Sequence, residues 1–446
     1  MVPWKDIAET AIREKADIIG LSGLITPSLE EMAHNAREMQ RAGMTIPLLI
    51  GGATTSRVHT AVKIAPNYSG PVVWVPDASR SVSVCSSLLS DDQHQGYLND
   101  LAAEYERIRE QHAGKKGPEL IPLAEARANG HAIDWTSYVP PKPHMLGLKP
   151  LKNYDLAEIA TYIDWGPFFQ TWDLAGPYPA ILDDAVVGTE ARKVFADAQA
   201  MLKKIIEGRW LTANGVFGLF PAARVAPEDI AIYADESRSK PLMVWHNLRQ
   251  QNRKPTGRAN QCLADFIAPA DSGARDYIGA FAVTAGIGIE KHLEQFEKKH
   301  DDYSAILLKA LADRLAEAFA ELLHRRIRRE FWAYAPDEML DNTALIGEKY
   351  RGIRPAPGYP ACPDHTEKGA LFDLLQAPRV DIRLTESFAM WPASSVSGFY
   401  LSHPDAQYFA VGKIDRDQVA DYAQRKDMTL ADAERWLAPA LGYNPA

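Results

Sequence analysis

The sequence predicts two domains of different class: an α/β domain with a parallel, doubly wound sheet, then a larger α+β domain. Three observations carry this. At 446 residues the chain exceeds one ordinary domain. Up to Leu89, short apolar strands alternate with amphipathic helices, the signature of βαβ units. From about residue 150, strands and helices follow one another without strict alternation. The expected boundaries are 1–95 for the first domain, 96–150 for a linker and wrapping arm, and 151–446 for the second.

In chain order, Trp4 to Lys15 is an amphipathic helix and Ala16 to Ser22 holds a buried strand. Ser28-Leu29-Glu30-Glu31 is a capping box opening a helix to about Ala42. Ile46 to Ile50 is a second strand, Thr55 to Ile64 a helix, Val72 to Val75 a third strand and Ala78 to Leu89 a helix behind it. With only three strands, the first would carry an exposed apolar edge, which sheets avoid. Either something precedes Met1 or another chain covers that edge. A charged helix from Asp100 to Gln111 leads into a Lys-, Gly- and Pro-rich connector ending near Pro143.

Composition bounds the partners. Apolar residues make up 46% and charged residues 24%, as in a globular protein with a real core. The net charge of −9 leaves no basic stripe for nucleic acid. No apolar run approaches the roughly 18 residues that span a bilayer. The start is not a signal peptide. Cys85, Cys262 and Cys362 are far apart and form no C-x-x-C pair, so neither a disulfide framework nor a cysteine zinc site is expected. A reducing cytoplasm fits best.

In a parallel sheet, ligands sit beyond the carboxyl ends of the strands. Those ends read Ser22-Gly23-Leu24-Ile25-Thr26, Gly51-Gly52-Ala53-Thr54-Thr55-Ser56 and Pro76-Asp77-Ala78-Ser79. Small and hydroxylated residues suit a broad, neutral ligand lying against backbone. A P-loop lysine and Rossmann spacing are both missing. Helix caps would account for part of the same Ser and Thr content.

The second domain offers strands at Val216–Ala222, Ile230–Tyr233, Leu242–His246, Asp276–Thr284 and Ala410–Ile414, and a long helix from about Asp302 to Phe331. Arg354 to Lys368 stands apart: four prolines and a glycine fall within its first ten residues. Proline fixes φ and removes a donor, so this run is a stiff loop with a pre-set path. An arginine there can clamp a carboxylate. Asp164 lies among aromatics in Tyr162 to Trp172, Glu317 lies on the long helix, and Tyr359 and Tyr400 add phenols. Together they suit a zwitterionic, cationic, adenosine-bearing ligand. Singly, Asp164 also fits a helix cap, Glu317 a solvated helix residue, and Arg354 a surface ion pair. Cys362 and His365 read as packing residues, not a metal pair.

The run Arg354-Pro-Ala-Pro-Gly-Tyr-Pro-Ala-Cys-Pro-Asp-His-Thr-Glu-Lys368 closely resembles the S-adenosylmethionine-binding activation domain of cobalamin-dependent methionine synthases. Tyr162-Ile-Asp-Trp-Gly-Pro-Phe-Phe169 and Glu386-Ser-Phe-Ala-Met-Trp-Pro392 strengthen the resemblance. Leu21 to Ser28 and Gly51 to Ser56 resemble that family's cobalamin-binding domain. The resemblance implies a truncated flavodoxin-like sheet followed by a C-shaped α+β unit with a central antiparallel sheet. It implies S-adenosylmethionine contacts at Asp164, Glu317, Arg354, Ala356, Tyr359, Tyr400 and Leu401, the last standing where relatives often have phenylalanine. Cobalamin contacts are implied at Ser22, Thr26, Ala78, Gly51 and Gly52.

The family's Asp-x-His-x-x-Gly loop, whose histidine ligates cobalt, has no counterpart here and would precede Met1. The domains for homocysteine, zinc and methyltetrahydrofolate have none either. The implied function is reductive methylation of cob(II)alamin to methylcobalamin by S-adenosylmethionine, with flavodoxin or an equivalent reductase as partner, within a methyltransferase completed by the missing N-terminal domains. The alternatives are a module that only binds S-adenosylmethionine, or one subunit of a split enzyme.

Overall fold

The computed structural model describes residues 2–23, 28–52, 54–113 and 118–445. The chain groups into two compact units, Met1–Leu123 with Gln251–Pro255 and Gly412–Ala446, and Ala124–Gln250 with Thr256–Val411.

In the first unit, β1 (Ile19–Ser22), β2 (Leu48–Gly51) and β3 (Val72–Trp74) form a parallel sheet in the order β1-β2-β3. The central strand is the most buried. Its Leu48 and Ile50 enter a cluster with Met32, Ala36 and Met39 of the helix Ser28–Arg41. Leu49 faces the opposite way, to Val73, Val75 and Leu88, with Tyr97 and Leu101 of the helix His94–Ala113 packed alongside. Period-two alternation thus buries both faces, as a parallel sheet requires. The helix expected over Thr55–Ile64 is α-helical only at Arg57–His59. It continues as a π turn over Thr60–Ile64, where Ala65 N–H bonds Thr60 C=O. Pro66 follows and has no N–H to extend an α ladder.

The second unit is built on an antiparallel sheet of six strands. These are β4 (Gly147–Tyr154), β5 (Thr212–Ala226), β6 (Asp229–Tyr233), β7 (Pro241–His246), β8 (Asp276–Ile287) and, after the two-residue pair β9 (Arg383–Leu384) and β10 (Met390–Trp391), β11 (Ser395–Tyr400). The order is β11-β8-β5-β6-β7, with β4 also paired to β5. One face places Phe217, Leu219, Phe281 and Val283 against Leu311, Leu315 and Phe319 of the long helix Asp302–Arg326. The other buries Val216, Phe220, Ile278, Trp245 and Phe399 with Leu371. Trp245 stacks on Phe399 at 3.9 Å between ring centroids.

Three expectations need correction. The connector contains strand β4, despite Pro150 opposite Val216; β4 pairs on one side only, the position where a missing donor is tolerated. Ala410–Ile414 is not a strand, because Gly412 at φ +75° breaks the extended run and leaves only an isolated bridge from Ile414 to Leu441. The long helix ends at Arg326 and passes into a π turn over Ile327–Phe331. No described helix is long and apolar enough to cross a membrane.

Candidate functional site

The stiff loop lies beside β11 in the second unit. Ile353 and Leu401 exchange two backbone hydrogen bonds of 3.0 Å, and Phe399 N–H donates to Pro355 C=O at 2.9 Å. Pro355 and Pro357 cannot donate in return, so the ladder stops and the loop turns away. Gly398 permits the approach: a Cβ there would lie 2.6 Å from the Pro355 carbonyl oxygen.

Arg354 is held from several sides. Its backbone N–H donates to Tyr408 Oη at 2.9 Å. Its Nη1 donates to Glu321 Oε2 at 2.6 Å and Tyr350 Oη at 3.1 Å, and lies 3.4 Å from His324 Nδ1. All of these side-chain contacts use Nη1. Nε and Nη2, the fork that grips a carboxylate in bidentate fashion, have no partner among the described residues.

His324 is fully buried and stacked on Tyr400 at 5.0 Å. Burial, then the charges of Arg328 and Arg354, push its pKa well below the ordinary imidazole value. It is therefore neutral, with Nδ1 accepting from Arg354 and Nε2 facing Tyr334 Oη at 3.4 Å. Arg328 is fully buried too. It forms a two-pronged pair with Glu338 at 2.8 Å and lies over the Tyr350 ring at 4.1 Å.

The predicted residues are only partly brought together. Glu317 has no hydrogen bond or ion pair among the described residues, so its carboxylate remains open. Tyr359 lies near it. Desolvation, then the Glu317 carboxylate, raise the Tyr359 phenol above its ordinary range, although 57% of the residue's surface is exposed. Arg314 and Arg354 pull the other way. Ala356 closes the turn beneath Tyr359, its C=O accepting Tyr359 N–H at 3.2 Å.

Tyr400 is wholly buried, stacked on Phe281 at 4.6 Å, and its hydroxyl has no partner among the described residues. Burial raises its pKa well above the ordinary value. Leu401 points to the opposite core cluster, and both its backbone groups are used in the bridge to Ile353. Asp164 lies one residue before the N-cap Trp165, which makes no side-chain cap bond; its Oδ1 accepts Gly166 N–H at 2.9 Å in a local turn at the start of the helix Gly166–Thr171. No hydrogen bond joins it to the other six residues.

Sequence reasoning missed Glu321, His324, Arg328 and Tyr350. The signal was there: Glu317, Glu321, His324 and Arg328 follow at helical spacing, a polar stripe that runs off the long helix into the π turn. Cys362 and His365 are both buried, and His365 Nδ1 lies 3.0 Å from Lys368 Nζ. A separate cavity of about 660 Å³, lined by Arg127, Arg224, Arg249 and Asp265, contains none of the predicted residues.

In the first unit, Ser22 pairs with Gly51 across β1 and β2, and Gly23 N–H donates to Gly51 C=O at 2.9 Å. Gly52 adopts φ +101°, and a Cβ there would strike the Gly23 backbone. Ser22, Gly51 and Gly52 thus share the carboxyl end of the sheet. Ala78 opens the helix Ala78–Leu89, which Asp77 caps by accepting Arg80 N–H at 2.9 Å. Thr26 lies outside the described residues.

Residues 155–427 match the family model of the vitamin B12-dependent methionine synthase activation domain. A crystal structure of the MetH reactivation domain bound to AdoHcy is 55% identical in sequence, with a TM-score of 0.71; the match covers 74% of this chain and all of that one. The matched span holds the long helix, the stiff loop and β11, so this chain belongs to the family of vitamin B12-dependent methionine synthase activation domains.

Proposed function

We propose that the second unit binds S-adenosylmethionine and presents its methyl group to a cobalamin, reactivating the cofactor of a methionine synthase. The observation that carries this reading is the half-used guanidinium of Arg354. Nη1 is tied to Glu321 while the Nε–Nη2 edge has no partner among the described residues. An open carboxylate, Glu317, and an accessible phenol, Tyr359, lie close by. A zwitterionic amino acid needs one cation for its carboxylate and one anion for its ammonium. Binding of AdoHcy by the 55% identical domain supports the same ligand class here.

The protein's part is positioning. Arg354 holds the carboxylate and Glu317 the ammonium, with Tyr359 over the ligand. Asp164 would contribute on the ribose side, and Ala356, Tyr400 and Leu401 through the frame of the loop and β11. As the sulfonium C–S bond breaks, its electron pair stays on sulfur, so no general base is needed. Cobalamin, when bound, supplies the nucleophilic metal that takes the methyl group. The strand ends at Ser22, Gly51 and Gly52 fit a broad ligand resting on backbone, and Thr26 and Ala78 belong to the same proposal. The electron comes from a separate reductase of flavodoxin type. The homocysteine and folate steps belong to other domains of the enzyme.

Titration calorimetry with S-adenosylmethionine tests the site. The whole chain is expected to bind, and Arg354→Ala to lose at least tenfold in affinity. Unchanged affinity in that variant would remove Arg354 from the site.

A further inference from the structure

Lys368 is a buried lysine, 6% exposed, on the first turn of the helix Glu367–Leu375. Among the described residues no carboxylate pairs with it: its Nζ lies 3.0 Å from His365 Nδ1 and donates to Phe388 C=O at 3.3 Å. An ammonium is expensive to bury without a counter-charge. Burial lowers its pKa to about 8. Burial, then the neighbouring lysine, lower that of His365 to about 4. The imidazole is therefore neutral, and its Nδ1 accepts from the lysine.

The oriented ring supports the stiff loop. Gly358 stands at φ +94° directly over it, and a Cβ there would fall 2.6 Å from His365 Nδ1. Gly358 N–H donates to Cys362 C=O at 2.7 Å, and Cys362 N–H returns to Tyr359 C=O at 2.9 Å. This pair of tight turns sets the direction of Tyr359. The same lysine secures a second segment through Phe388, which stands at φ +60° between β9 and β10.

We propose that Lys368 and His365 are positioning residues for S-adenosylmethionine: the lysine fixes the imidazole, the imidazole props Gly358, and the prop aims Tyr359 at the ligand. This rests on the ligand assignment above. Neither residue touches the ligand; their effect reaches it through the turn.

The test uses the whole chain and two readouts. Lys368→Met keeps the volume and removes the donor. Its affinity for S-adenosylmethionine is expected to fall about tenfold in the otherwise native protein, and to change less than twofold when Tyr359→Ala is already present. Equal losses in both backgrounds, or no loss in the native one, would overturn the proposal. Amide hydrogen exchange needs no ligand. Gly358 and Cys362 are expected to exchange at least tenfold faster in Lys368→Met while the amides of β5 and β8 keep their rates. Native rates at Gly358 and Cys362 would refute the prop even if the chain bound no S-adenosylmethionine. Should Lys368→Met fail to fold, His365→Asn removes the ring beneath Gly358 and must give the same two results.

Discussion

The pair formed by Arg354 and Glu321 shows how a binding residue can be held ready without being used up. Glu321 is 10% exposed at its side chain, and Arg354 is its close partner at 2.6 Å. The next cation, Arg328, lies 4.0 Å away and is already committed to Glu338. Truncating the arginine therefore strands a nearly buried carboxylate, at a cost of about 3 kcal/mol. Arg354→Ala should lose both stability and affinity. The double variant Arg354→Met with Glu321→Gln removes both charges, so it should recover most of the stability and none of the affinity. Urea unfolding and calorimetry on the same samples check this. A double variant that regained binding would show that the guanidinium is dispensable.

Strand β11 and the loop beside it form one element in practice, because Gly398 lets Pro355 come within hydrogen-bonding reach of Phe399. Gly398→Ala must push strand and loop apart. A loss of about 1 to 3 kcal/mol is expected, with weaker S-adenosylmethionine binding, since the displaced segment carries Arg354. Denaturant unfolding and calorimetry would detect both, and native affinity would show that loop and strand move independently. Part of this element was legible beforehand. The prolines of Arg354–Lys368 announced an irregular, rigid path, and the apolar runs announced β5 and β8, whereas β11, with Ser395, Ser397 and Gly398 among its residues, was not read as a strand. Strand β4 was hidden because Gly147 and Pro150 argue against a strand, and its single-sided pairing with β5 is a tertiary fact. The stripe of Glu317, Glu321 and His324 was readable in its spacing. Its pairing with a loop about thirty residues onward was not, because sequence spacing does not say which face of a helix meets which loop.

Across the second unit, the buried titratable groups set a pH profile. Burial lowers His365 and His403 to about 4 and takes His324 well below its ordinary 6.5. A histidine depressed in the folded state contributes stability above the unfolded value of 6.5, and that contribution is lost as pH falls toward the folded value. Asp276 acts in the opposite sense. Burial raises it from 3.8 to about 7, so its contribution is full below 3.8 and disappears as pH rises through 7. At pH 5 the three imidazoles gain protons on unfolding while Asp276 releases one, a net uptake of about two protons. Stability should climb from pH 5, steeply at first, and level off only about one pH unit above 6.5, where the unfolded imidazoles have lost their protons and Asp276 has finished its loss. Unfolding midpoints in urea between pH 5 and 8 would trace this curve. A profile that instead fell between pH 5 and 6.5, as Asp276 alone would produce, would mean that the three imidazoles are already protonated in the folded protein. That would in turn overturn the neutral His324 on which the geometry at Arg354 depends.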